Sequence, residues 1–181
     1  MPLVYLSPST QEFNPYYDGV GNEEYYMNLI VDAMIPYLDA SGIAWKRNST
    51  SDTAITSAQA SNAAGANLHL AVHSNAAPEE LSGQLRGTDV YYFTGSEEGR
   101  RAAEIFANNL KLIYPDPNDV TVRNTTALAE LRRTSAPSIL IELAYHDNRD
   151  DANWIRANIA RNLAASVADF FTVPFVVPEW S

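Results

Sequence analysis

Ser138-Ile139-Leu140-Ile141-Glu142-Leu143 is the stretch on which the fold turns. Its apolar side chains run on without the polar alternation of a strand that keeps one wet face. Such a run belongs to a central strand covered on both sides. Working outward, Leu68-His69-Leu70-Ala71-Val72-His73 repeats the pattern, and Leu3-Val4-Tyr5-Leu6 is a shorter version stopped by a turn at Ser7-Pro8. Ile43-Ala44-Trp45 and Asp89-Val90-Tyr91-Tyr92-Phe93 read as further strands.

Between these runs the period changes. Met27, Val31, Ile35 and Leu38 recur at helical spacing after Asn22, a candidate N-cap, and the pattern closes at Ser41-Gly42. Pro36 inside it predicts a kink or a broken last turn. Residues 52–64 are rich in Ala and Ser and close at Gly65, residues 96–113 start from the N-cap Ser96, and residues 150–171 predict one long closing helix. Strands alternating with helices give an α/β class: a mostly parallel twisted sheet of about five to six strands with helices on both faces. Residues 1–171 form one domain, and 172–181, with two prolines, read as a tail or the start of a linker. In such sheets the chemistry gathers at the carboxyl ends of the strands.

The chain has 181 residues, enough for a sizeable core, and its 46% hydrophobic and 19% charged residues exclude a disordered chain. Twelve Lys and Arg stand against 22 Asp and Glu, a net charge of −10 that argues against nucleic-acid binding. Without cysteine there is no disulfide, thiol nucleophile or thiolate metal site. No apolar run reaches the roughly 18–20 residues of a membrane span. No basic leader precedes the first strand, so no signal peptide is expected in this chain.

Chemistry has few carriers here. Of the three histidines, His69 and His73 share a strand face but lie about 13 Å apart, too far to bind one ion together. His73 ends its strand before the polar turn Ser74-Asn75-Ala76. A lone histidine there is more often structural than functional. Glu142 interrupts the central strand, where an ionised carboxylate is costly unless a cation or hydrogen bonds satisfy it. It is either paired with Arg132 or Arg133, or it is a base with a raised pKa. Glu23 and Glu24 open the first long helix, where acidic residues suit the helix dipole without any further role.

Taken in order, these segments resemble the zinc N-acetylmuramoyl-L-alanine amidases of the amidase-3 family over almost the whole chain. Leu70-Ala71-Val72-His73-Ser74-Asn75-Ala76 resembles the family strand ending His-Ser/Ala-Asn-Ala. Gly87-Thr88-Asp89-Val90-Tyr91-Tyr92 resembles its Gly-x-Glu-Val-Tyr-Tyr strand. Leu131-Arg132 with Ala136-Pro137-Ser138-Ile139-Leu140-Ile141-Glu142-Leu143 resembles its Leu-Arg…Pro-Ala-Val-Leu-Val-Glu segment, followed by an asparagine at Asn148.

The resemblance implies Zn2+ as cofactor, His73 as a ligand, Glu142 as catalytic acid/base, and a glutamate ligand at the start of the first helix. The helix's apolar positions favour Glu24, with Glu23 one residue away as the alternative. The family's first strand ends Asp-Pro-Gly-His-Gly, whose histidine binds zinc, whereas here stands Ser7-Pro8-Ser9-Thr10-Gln11. His146 in Tyr145-His146-Asp147-Asn148 is the expected replacement, with Gln11 or Thr10 as lesser contributors. It reaches the ion only if the chain turns back after Glu142, which Asp147-Asn148 can provide.

Asn75 and Arg132 are expected to orient the peptide or the oxyanion. Tyr16, Tyr17, Tyr91 and Tyr92 either line a groove or are simply buried. The implied partner is peptidoglycan, a glycan strand with its stem peptide, met by a monomer secreted or released to the cell wall as an endolysin or autolysin. Two other readings stand beside this one: a non-catalytic wall-binding module that has lost its metal, and a zinc peptidase of a different bond.

Overall fold

The computed structural model describes residues 1–157 and 159–179. In chain order the elements are β1 (Leu3–Pro8), α1 (Glu23–Ala40), β2 (Ala44–Arg47), α2 (Ala54–Ala64), β3 (Leu68–Asn75) and β4 (Thr88–Phe93). There follow α3 (Glu97–Lys111), β5 (Val120–Thr125), α4 (Ala129–Arg133), β6 (Ser138–Tyr145), α5 (Arg149–Arg156) and α6 (Ala160–Phe171). The six strands form one sheet in the order β2-β1-β3-β6-β4-β5. β2, β1, β3 and β6 are parallel, β4 runs antiparallel to β6, and β5 is parallel to β4. The sheet is therefore mostly parallel, as the apolar runs predicted. β5 is a sixth strand that those runs did not reveal.

Strand alternation sorts the two faces. Val4, Leu6, Leu68, Leu70, Val72, Val90, Ile139, Ile141 and Leu143 join the main core, covered by α1, α3, α5 and α6. Ala71 and Leu140 face the other way, with Leu131 of α4 and α2 beyond it. Ile141 is fully buried at the centre of β6. Ile141→Ala is expected to cost about 2–5 kcal/mol, measured as a lower denaturant midpoint at unchanged slope. A loss below about 1 kcal/mol would contradict this central placement.

Local chemistry sets the helix ends. Asn22 Oδ1 accepts the Tyr25 N–H at 2.8 Å and starts α1, which then runs through Pro36 to Ala40. Thr53 and Thr56 form a capping box on α2, and Gly65 closes it in a left-handed conformation, φ 65°.

The expected closing helix is two helices. α5 ends at Arg156 and α6 begins at Ala160, while Asn158 between them lies outside the described residues. Their tertiary anchors differ. Arg156 pairs with Asp18 at 2.8 Å, whereas α6 packs on α1 and α3. Residues 172–179 carry no helix or strand and lay Phe175 against Tyr37, ring centroids 5.8 Å apart. The last two residues of the expected tail lie outside the described residues. No helix among the described residues is long and apolar enough to cross a membrane.

One buried carboxylate fastens the carboxyl end of β6. Asp151, 0% exposed, accepts the N–H groups of Gly87 and Tyr145, each at 3.0 Å, and the Tyr114 hydroxyl at 2.6 Å. A cradle of donors of this kind satisfies an otherwise costly buried charge.

Candidate active site

A polar row crosses the sheet. In register, His73 of β3 faces Glu142 of β6, Glu142 faces Asp89 of β4, and Asp89 faces Thr121 of β5. Cross-strand partners share a face, so these side chains line up on the side carrying α2 and α4. Toward β5 the row ends in the open. Arg123, more than half exposed, pairs its Nε with Asp89 Oδ1 at 2.6 Å.

His73 is met by a glutamate from α1, and that residue is Glu23. Glu23 Oε1 lies 3.0 Å from His73 Nδ1 and also accepts the Ser74 N–H at 3.4 Å. Oε2 accepts from Asn14 Nδ2 at 2.7 Å. The residue is 1% exposed. Burial opposes its ionisation, but the hydrogen bond and charge of His73, together with Asn14 and Ser9, outweigh that and lower its pKa. The helix N-terminus adds a favourable field. For His73, burial opposes the charge, and the Glu23 hydrogen bond with the Glu142, Glu23 and Glu130 carboxylates raises the pKa regardless.

Glu24, one residue further, is turned about 100° round the helix. It is only half-buried, and no hydrogen bond or ion pair joins its side chain to His73 among the described residues. The apolar spacing that favoured Glu24 identified the helix correctly but did not resolve which glutamate faces inward.

Glu142 Oε2 is buried with no hydrogen-bond partner. Burial pushes its pKa up to about 7; His73 opposes this, and Glu23 and Asp89 add to it. No ion pair to Arg132 or Arg133 forms among the described residues. Arg132 is exposed on α4 and lines a cavity with Phe93, Glu97 and Ser138, at the amino end of β6 and away from this row. Asn75 sits at the right edge, but its Oδ1 accepts its own neighbour's N–H, from Ala76 at 2.9 Å.

The chain does turn back after Glu142, and it seats His146 one layer behind. His146 Nδ1 meets Ser74 Oγ at 3.0 Å, and the ring stacks on Tyr16 with centroids 5.3 Å apart. Burial lowers its pKa, partly offset by Glu23 and Asp147. It forms no ion pair with Glu23 or Glu142 among the described residues. Gln11 is closer to the pair: its Nε2 lies 3.4 Å from His73 Nδ1, and its Oε1 accepts from Asn14 at 3.1 Å. Thr10 lines a cavity of about 190 Å³ that reaches His73 and Glu130 from the β1 side. Tyr16 is buried, Tyr17 is exposed, and Tyr91 and Tyr92 are half-buried.

Among the described residues, no three His, Cys, Asp or Glu side chains cluster as a complete metal cage. The donors that do converge suit zinc in kind, a carboxylate oxygen and an imidazole nitrogen, with an amide beside them. Two donors on one tetrahedral zinc lie about 3.3 Å apart. Glu23 Oε1 and the Gln11 amide stand 3.0 and 3.4 Å from His73 Nδ1. Amide oxygen and nitrogen exchange by a flip, so Gln11 can present either atom.

A carboxyl group poised near neutrality beside a carboxylate–imidazole pair, at the edge of a mostly parallel sheet, is equipment for moving protons in a hydrolytic reaction. Residues 15–172 match the family Amidase_3, described as N-acetylmuramoyl-L-alanine amidase. The chain belongs to that family, and its enzyme class is that of the N-acetylmuramoyl-L-alanine amidases.

Solved structures share the fold. The amidase AmiC2 of Nostoc punctiforme is 20% identical with a TM-score of 0.78, over 94% of this chain and 97% of that one. The catalytic domain of the amidase CwlV from Bacillus (Paenibacillus) polymyxa var. colistinus is 15% identical with a TM-score of 0.81, over 96% and 100%. The catalytic domain of the CD27L endolysin targeting Clostridia difficile is 17% identical with a TM-score of 0.73, over 93% and 97%. No curated protein matches the chain.

Proposed function

We propose that this chain is a zinc-dependent amidase that cuts the bond between N-acetylmuramic acid and L-alanine in the bacterial cell wall. The observation that carries the reading is Glu142, whose Oε2 is buried without a partner, next in register to the Glu23–His73 pair. Glu23 and His73 hold the metal, with the Gln11 amide oxygen as third protein donor. Bound zinc supplies the Lewis acidity that polarises the lactyl carbonyl and acidifies a water.

Glu142 takes the proton of the attacking water and passes it to the departing L-alanine amine. His73 stays fixed between its carboxylates, and the Ser74 N–H steadies Glu23 from behind. The open β4–β5 half of the face, with Tyr91 and Arg123, is where glycan and peptide lie. Residues 1–171 act as the catalytic domain, working as a monomer outside the producing cell as an endolysin or autolysin. A wall-binding module without a metal gains no support, because it has no use for an unpaired buried carboxyl at its centre.

Two measurements test this. Digestion of purified peptidoglycan is expected to release stem peptides with a free L-alanine amine and leave muramoyl lactyl carboxylates. New termini within the peptide would instead mean a peptidase. Elemental analysis is expected to find about one zinc per chain, kept in His146→Ala and weakened in Gln11→Ala. Zinc lost only in His146→Ala would move the third ligand to His146.

A further inference from the structure

Glu130 has no place in the mechanism so far, yet it is 3% exposed on a five-residue helix, α4. Its Oε1 accepts from the Ser7 hydroxyl and from His69 Nε2, the latter at 2.8 Å. Its Oε2 lies 4.0 Å from His73 Nε2. His69 is fully buried, stacked on Tyr5 with centroids 5.5 Å apart, and its Nδ1 has no partner. A proton on that Nδ1 would be a buried unsatisfied donor. His69 therefore carries its proton on Nε2 and donates it to Glu130. With both anchors on Oε1, Oε2 is left facing His73.

His73 thus stands between two carboxylates, Glu23 on Nδ1 and Glu130 on Nε2. Which imidazole nitrogen binds a metal is set by the partner of the other one. Resting on the zinc reading above, we propose that Glu130 is the positioning residue for His73. It holds the proton on Nε2 and so directs the Nδ1 lone pair toward Glu23 and the metal. The separation of 4.0 Å is ion-pair reach, and closing it by about 1 Å makes a hydrogen bond. Ser7 and His69 build the seat from β1 and β3, so two strands and α4 converge on one ring.

The test uses the full chain with Glu130→Gln, which keeps the shape and removes the charge. Zinc affinity is measured by competition with a chromophoric chelator, and the metallated nitrogen of His73 is read from ring 15N shifts. Zinc is expected to bind about 10–100-fold more weakly, with the melting temperature of the zinc-free protein changed by only a few degrees. Asp151→Asn serves as control, since it breaks an equally buried carboxylate network remote from His73. It is expected to lower the melting temperature and leave zinc affinity alone.

If Glu130→Gln does not fold, His69→Gln, which loosens the same carboxylate, is expected to show the weaker zinc binding. Unchanged affinity in the folded variant, or His73 bound through Nε2 in the wild type, overturns the positioning role while the zinc reading stands. A wild type that takes up no zinc overturns both.

Discussion

Glu142→Gln is expected to lower wall hydrolysis by about 10²–10⁴-fold and to make the zinc-free protein more stable at alkaline pH. The first effect follows from removing the group that moves the proton. The second follows from the position of that group. The folded chain holds the Glu142 proton up to about pH 7, against an ordinary value of 4.5. A folded-state pKa above the unfolded one gives stability that is complete below the unfolded value and lost as the pH rises through the folded one.

Wild type should therefore lose up to about 3 kcal/mol between about pH 4.5 and 8, at 1.36 kcal/mol per pH unit. Glutamine, which cannot ionise, escapes that loss. Chelator-treated wild type and variant should accordingly denature together near pH 4.5 and part company above pH 7, the variant being the more stable. Two denaturation curves that stay parallel across this range would mean that Glu142 is solvated or paired, and the assignment of the base would fall. Hydrolysis retained in the variant would remove Glu142 from the chemistry directly.

The second large effect concerns the metal. Glu23→Ala and His73→Ala are each expected to weaken zinc binding by more than about 100-fold, beyond what loss of a supporting residue does. Glu24→Ala should bind as wild type does, since no hydrogen bond or ion pair joins its side chain to His73 among the described residues. His73→Ala also leaves Glu23 and Glu130 without their shared cation, a change that costs about 3–5 kcal/mol when the pair is buried. Its zinc content must therefore be compared at a temperature where circular dichroism reports a folded chain. Zinc uptake that follows Glu24 instead of Glu23 would mean that the first turn of α1 is rotated from the arrangement described here.

The parts of the molecule that could be read from sequence are those where one residue type breaks a strong pattern. Glu142 stands out because carboxylates do not occur by chance in a run such as Ser138 to Leu143, and β3 and β6 were legible for the same reason. Glu23 could not be separated from Glu24, because the choice depends on how the chain from Asn14 to Asn22 enters the helix. The Asn14 and His73 hydrogen bonds fix that entry.

Glu130 gave no signal, since a helix of five residues has too little length for a period. β5 is an edge strand with mostly exposed side chains. Only the alternation Val120-Thr121-Val122 hinted at it, and that is short. Order along the chain did not fix where His146 and Arg132 face. His146 lies behind Ser74, and Arg132 is at the far end of β6. No proline or glycine marks the break between α5 and α6.

Asp151 makes the closing of the sheet depend on a residue beyond its last strand. By residue 145 the chain already contains all six strands with Glu23, His73, Glu130 and Glu142. The end of β6 is not yet fastened, because its clasp to Gly87, Tyr145 and Tyr114 is a side chain six residues further on. The fastening of the β6 end thus comes later in the chain than every residue of the polar row. A chain cut before α5 would keep those residues and lack the clasp, and the end of its β6 is expected to fray.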